Sequence, residues 1–253
     1  MTVTVAFLCN DGVVIGVDSM LTPSVGNIPV GHHKGRKLHI LAGEQICGIA
    51  GDIGLAARFR VLADANGGNI ASVAHPLDFG LGLAKLMADQ ITATGLGNSN
   101  IDLGTVLAFP HGSRAHCCTF LGRVQPWLLD ADHYYVALGS GKLSADPFLR
   151  FLSDIFCSGP PTVREAVFLT TWTIQHVIDT NPGGVAGPIR IAVLENANGQ
   201  LAARELPPDE IEEHQQAVES AAEALRLWRD ELQSGQAAAD VPQPPPAPVA
   251  GTS

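Results

Sequence analysis

The chain has 253 residues, 46% of them hydrophobic, which is enough apolar material to bury a full core. A formal charge of −10 with only 15 Lys and Arg argues against nucleic acid as a partner, because phosphate binding needs clustered cations. The opening MTVTVAFLCN has no cationic stretch leading into a long apolar run, and nowhere do roughly 18 apolar residues stand together, so neither a secretion signal nor a membrane span is expected and the protein reads as cytoplasmic.

The five cysteines (Cys9, Cys47, Cys117, Cys118, Cys157) are odd in number, lie mainly in apolar stretches and show no CxxC pairing, which reads as reduced, buried thiols. Residues 3–9 (VTVAFLC) and 13–18 (VVIGVD) are β-branched runs separated by Asn10, Asp11 and Gly12, the signal of a hairpin beginning at the N-terminus. After a Gly- and Pro-containing stretch, RKLHIL and QICGIAG, split by AGE, predict a second hairpin. Helical periodicity follows over 53–64, and a second helix starts at Pro76, whose fixed φ suits a first turn, running to about residue 92. Strands are predicted near 103–109, 114–121 and 133–138, then helices near 144–157 and 162–180, the latter opened by a Thr162/Glu165 capping box. PIRIAVLE and LAAREL close the body as strands, giving an α+β chain with mainly antiparallel sheets and helices outside.

Beyond Pro207 and Pro208, Ile211, Val218, Leu225 and Leu232 stand one heptad apart, with Ala221 and Trp228 three residues after their predecessors. An amphipathic helix over 208–235 is expected, too short to stand alone, so its seam should dock on the body or a neighbouring subunit. Between Asp209 and Glu231 lie eight acids against two arginines, which places six of the ten net negative charges in this segment. Residues 236–253 are Pro- and Ala-rich and read as a disordered or extended tail. The expected organisation is a body over 1–207, the helix and the tail.

Position 2 carries a threonine. A Thr hydroxyl is a weak nucleophile that needs an adjacent base, and an α-amine, with a reference pKa of about 7.7–8.0, is matched to that task. An N-terminal Thr offers both on one residue, and a small second residue permits removal of Met1. Taken alone, a Thr here is unremarkable for an N-terminus. Asp18 ends an otherwise apolar strand, where a carboxylate is costly unless paired, and Lys37 is the expected partner; as an isolated pair, Asp and Lys on neighbouring strands are more often a surface cross-strand ion pair. Lys34 stands nearby as an alternative, but RKLHI restores the strand alternation with Lys37. His32 and His33 invite a metal reading, yet they are adjacent in a loop with no carboxylate cluster; neither a metal nor another cofactor is expected.

TVTVAFLCNDGVVIGVDS, GRKLHI and GIAGDIGLA, in that order and spacing, together resemble the N-terminal half of a proteasome β-subunit or its bacterial relatives, the heat-shock ring peptidases; GSG at 139–141 and DTNPGG at 179–184 extend the likeness more loosely, to about residues 2–205. The resemblance implies an N-terminal-nucleophile hydrolase fold, a four-layer α/β/β/α sandwich of two mainly antiparallel sheets, here with an added C-terminal helix. It implies Thr2 as nucleophile, Asp18 and Lys37 as the charged pair beside it, Gly51 as the oxyanion donor, and Ser140 and Asp179 as the groups orienting the Thr amine. It also implies Thr22 as a backbone anchor for an extended peptide, with Leu21, Ile49 and Ile53 lining an apolar specificity pocket. Where relatives often carry a serine, Pro182 stands, which offers no hydroxyl. The implied activity is threonine-type peptide hydrolysis inside a stacked, closed homo-oligomeric ring fed by an ATP-driven unfoldase. A small-molecule amidase on the same fold, or a catalytically silent ring or scaffold subunit, are the competing readings.

Overall fold

The β-branched run at the N-terminus pairs back on itself across Asn10 and Asp11: in the computed structural model β1 (Thr4–Leu8) and β2 (Gly12–Val17) form an antiparallel hairpin with Leu8 opposite Val13. The structure describes residues 2–22, 24–25, 28–29, 31–95, 103–122, 124–181 and 184–234. The expected tail over 236–253 therefore lies outside the described residues.

After the hairpin come short ribbons, β3 (Met20–Leu21), β4 (Ser24–Val25), β5 (Ile28–Pro29) and β6 (His33–Lys34), then β7 (Leu38–Leu41) and β8 (Gln45–Gly51). Helices α1 (Ile53–Asn66) and α2 (Pro76–Ala93) follow, the first capped by Asp52, which accepts from the Leu55 amide at 2.8 Å. The chain continues through β9 (Leu103–His111), β10 (Arg114–Leu121), β11 (Gln125–Leu128) and β12 (Tyr135–Leu138) to α3 (Lys142–Phe156) and α4 (Val163–Thr180). The capping box expected at the start of α4 is present: the Thr162 amide donates to Glu165 Oε2 at 2.8 Å. β13 (Arg190–Ala197), β14 (Gln200–Glu205) and α5 (Pro208–Ser234) complete the described chain.

Among the described residues there are two five-stranded antiparallel sheets, in the orders β12-β1-β2-β13-β14 and β11-β10-β9-β8-β7. Strand alternation sorts their side chains into three apolar layers. Val5, Phe7 and Val14 point toward α3 and α4, packing with Leu149, Leu152, Val167 and Ile174. Ala6, Val13, Ile15 and Val17 face Ile46, Val106 and Cys117 of the other sheet. On the far side, Cys47, Leu107, Phe109 and Phe120 pack beneath Phe59 of α1 and Phe79, Leu83 and Met87 of α2. The result is the expected α/β/β/α sandwich with an extra C-terminal helix. Because β2 is buried on both faces, it reads as a continuous apolar run rather than an alternating one.

Strand β11 was not expected from the sequence. Its QPWL carries a proline, which cannot serve a central ladder, and β11 lies at the sheet edge, where that loss is tolerated. The α5 seam docks only in its first half: Ile211 and Val218 are buried, whereas Leu225 and Trp228 remain 54% and 40% exposed. No described helix is long and apolar enough to cross a membrane.

Candidate active site

Asp18 follows the last residue of β2 and is fully buried; Lys37 enters β7 and is 1% exposed. Their contact, Lys37 Nζ to Asp18 Oδ1, is 2.7 Å. Removing two charges from water is costly and is repaid only when the remaining lone pairs are also satisfied. Here Asp18 Oδ1 accepts in addition from the Val3 amide at 3.0 Å, and Oδ2 from the Met20 amide at 3.0 Å. The Asp18 amide donates back to the Val3 carbonyl at 3.2 Å, so the carboxylate is latched to the residue directly after Thr2. Burial lowers the Lys37 pKa from its ordinary 10.5, with the Asp18 charge and hydrogen bond opposing the shift. Lys34, the alternative from the sequence, is exposed in β6 opposite Met20, so the structure puts Lys37 at Asp18.

Thr2 stands two residues before β1, half-buried. Its backbone nitrogen donates to Ser140 Oγ at 3.1 Å, and its carbonyl accepts from the Gly141 amide at 3.0 Å. The approach requires glycine at 139, which has φ +85 and whose missing Cβ would run into the Thr2 carbonyl. Across the gap, Thr4 Oγ1 donates to the Ile49 carbonyl at 3.3 Å and joins the two sheets beside the site. Gly51, exposed at the end of β8 with φ +79, faces the same cavity as Thr2 and Ser140, a space of about 600 Å³.

Not every expected residue converges. Asp179 does not turn its described contacts to the Thr2 nitrogen: its Oδ1 accepts from Gln175 Nε2 at 2.9 Å, and the side chain lines a groove against α5. It is exposed at the end of α4, where the helix leaves the carboxylate free to bond back one turn. Pro182 and Gly183 lie outside the described residues. Leu21 and Thr22 are half-buried near β6, with Thr22 Oγ1 3.4 Å from His32 Nδ1; Ile49 is buried, and Ile53 is 53% exposed at the start of α1. None of these four lines the Thr2 cavity. The cavity is walled instead by Leu103, Gly104, Leu121 and Gly122 of β9 and β10 and their turns, together with Lys142. Lys142 directly follows the GSG motif and could have been read from sequence; the β9 and β10 residues come there through strand pairing alone.

The thiols offer no rival nucleophile among the described residues: burial pushes Cys47 and Cys118 up to about 12 and raises Cys9, Cys117 and Cys157 as well.

No protein-family model matches the chain, and no curated protein matches it. Solved structures do. The chain is similar in fold to Anbu. A Gly-1 mutant of Anbu from Hyphomicrobium sp. strain MC1 superposes with a TM-score of 0.69 at 16% identity, over 95% of this chain and 100% of that one. Anbu, an ancestral beta-subunit, from Yersinia bercovieri gives 0.67 at 14% identity, over 88% of this chain and 94% of that one. These matches correct the kinship expected from the sequence motifs: the similar structures are Anbu proteins rather than a proteasome β-subunit or a heat-shock ring peptidase. At such identity the likeness establishes the shared fold alone.

Lys37→Met would strand the Asp18 carboxylate without its cation in a dry interior. The expected loss is about 3–5 kcal/mol of unfolding free energy, read by urea denaturation; a change below about 1 kcal/mol would show that the pair is hydrated and not structural.

Proposed function

We propose that the protein is a threonine-type amide hydrolase that cuts peptide bonds through an acyl ester on Thr2. The observation that carries this reading is the latch from Asp18 to Val3: one carboxylate oxygen holds both Lys37 and the residue next to Thr2, which keeps a buried ammonium beside the start of β1. With Met1 removed, the Thr2 α-amine takes the hydroxyl proton, Oγ attacks the substrate carbonyl, and the carbonyl electrons move onto oxygen. Lys37 stabilises the developing charge at Oγ, and the Gly51 amide is suited to the oxyanion. Collapse breaks the C–N bond, the leaving amine takes the proton, and water then hydrolyses the ester with the same amine as base. Ser140 Oγ, already bonded to the Thr2 nitrogen, orients that base. Asp179, bonded to Gln175, would join it only after a change of rotamer. Leu21, Ile49 and Ile53, all apolar, favour a hydrophobic residue before the cleaved bond, with Thr22 anchoring the substrate backbone as an added strand.

In the same proposal residues 1–207 form the catalytic unit and copies assemble into a closed ring. Apolar side chains left on the outer helices, Leu143 at 88%, Phe151 at 53% and Ile155 at 58% exposure, support burial between copies. An ATP-driven unfoldase would then control access.

Incubation with a peptide epoxyketone, which needs a Thr hydroxyl and a free α-amine to close its ring, should give an intact mass lacking Met1 and gaining one inhibitor per chain. Retention of Met1 with no adduct would end the nucleophile assignment in favour of a silent subunit. Turnover should follow a bell in pH: it rises as the α-amine loses its proton near its reference value of about 7.7–8.0, and falls as pH climbs through the lowered pKa of Lys37, where the ammonium is lost. A profile flat up to the ordinary lysine range would remove Lys37 from the chemistry. Light scattering should return the mass of several chains, and a monomer would refute the ring.

A further inference from the structure

Leu21 on β3, Ile49 on β8 and Ile53 on α1, the residues expected to hold the acyl part of a substrate, do not line the cavity beside Thr2, which is walled by the end of β8, by β9 and β10 and by residues 138–142. If Thr2 is the nucleophile, the atoms in this space are those of the leaving group.

Its chemistry is one-sided. Among the described lining residues Lys142 carries the one charged side chain, no carboxylate takes part, and Ser140 supplies a hydroxyl. Leu121 lines it with an exposed apolar side chain beside the buried Ala50, Leu103 and Leu138, and Gly104 and Gly122, which carry no side chains, leave it open. About 600 Å³ is room for a small ligand rather than for a long chain. Lys142 Nζ also meets Asp146 Oδ2 at 2.5 Å, one helical turn away, but both are nearly half exposed, and such surface pairs are weak enough for a ligand carboxylate to compete.

We propose that this cavity receives the free α-carboxylate of a short leaving group with a small apolar side chain, held by Lys142, so that the enzyme removes residues from carboxyl termini rather than cutting within chains. The inference rests on the Thr2 reading above and deepens it by naming the substrate class. The amide bond broken is the last one of the substrate, and the amino acid released carries its own carboxylate away from Lys142.

The test compares N-acetyl-leucyl-alanine with its C-terminal amide, which share an acyl part and differ by one charge. The expected result is a preference of about tenfold in kcat/KM for the free acid, the size of one modest charge-assisted contact. Lys142→Met should bring the ratio close to one, Lys142→Glu should invert it, and Asp146→Asn, which removes the competing acid, should increase it. A wild-type ratio near one, or a ratio that Lys142→Glu leaves unchanged, overturns the inference while the Thr2 assignment stands. If neither compound is hydrolysed, the Thr2 reading fails separately, and thermal-shift titration with leucyl-alanine against its amide decides the cavity. Stabilisation by the acid alone, lost in Lys142→Glu, supports the carboxylate site; equal or absent stabilisation overturns it.

Discussion

A carboxylate and an ammonium buried together at 2.7 Å set the terms for everything around Thr2. Neither Asp18 nor Lys37 can be exposed without opening the space between the sheets, and neither can be dry without the other. The pair therefore fixes the end of β2 against the beginning of β7. Since Asp18 also accepts from the Val3 and Met20 amides and donates to the Val3 carbonyl, the same charge fixes the entry of β1 and the exit toward the short ribbons. Thr2 is held by backbone geometry from two sides, by this latch after it and by Ser140 and Gly141 above it.

The position of the site follows from the sandwich. β1 and β2 belong to one sheet, while β8 and β9 belong to the other, and Thr2 and Gly51 meet only because both sheets present the same end there. Thr4 bridges the two sheets by donating to Ile49, so a displacement of either sheet would move Thr2 relative to Gly51.

α5 sits apart from this machinery. Ile211 and Val218 spend the first half of its seam on α4 and the body, and the Arg204 contacts to Glu195 at 3.0 Å and Glu210 at 2.9 Å tie its first turn to β14. Its second half keeps Leu225 and Trp228 in solvent, an arrangement that costs little in a helix so rich in charge but leaves an apolar edge available.

Much of the fold was legible in the sequence because strand and helix periodicities are local. The N-terminal hairpin, the Thr162 and Glu165 box and the heptad of α5 depend on residues a few positions apart, and each formed where the pattern placed it. The proline-bearing β11 escaped because its pairing is paid for by a neighbour, not by its own propensity. At the site, Thr2, Asp18, Gly51 and Ser140 stand in recognisable motifs, and strand alternation in RKLHI already favoured Lys37, which meets Asp18, over Lys34, which lies exposed opposite Met20. A local contact one turn back along α4 holds Asp179 to Gln175, whereas tertiary packing brought Leu103, Leu121 and Lys142 around Thr2 from distant parts of the chain. The sequence by itself determined which chemistry the chain carries, because functional groups are a property of residues; which of those groups share a cavity was decided by the register of two sheets, which depends on contacts over a hundred residues apart in sequence.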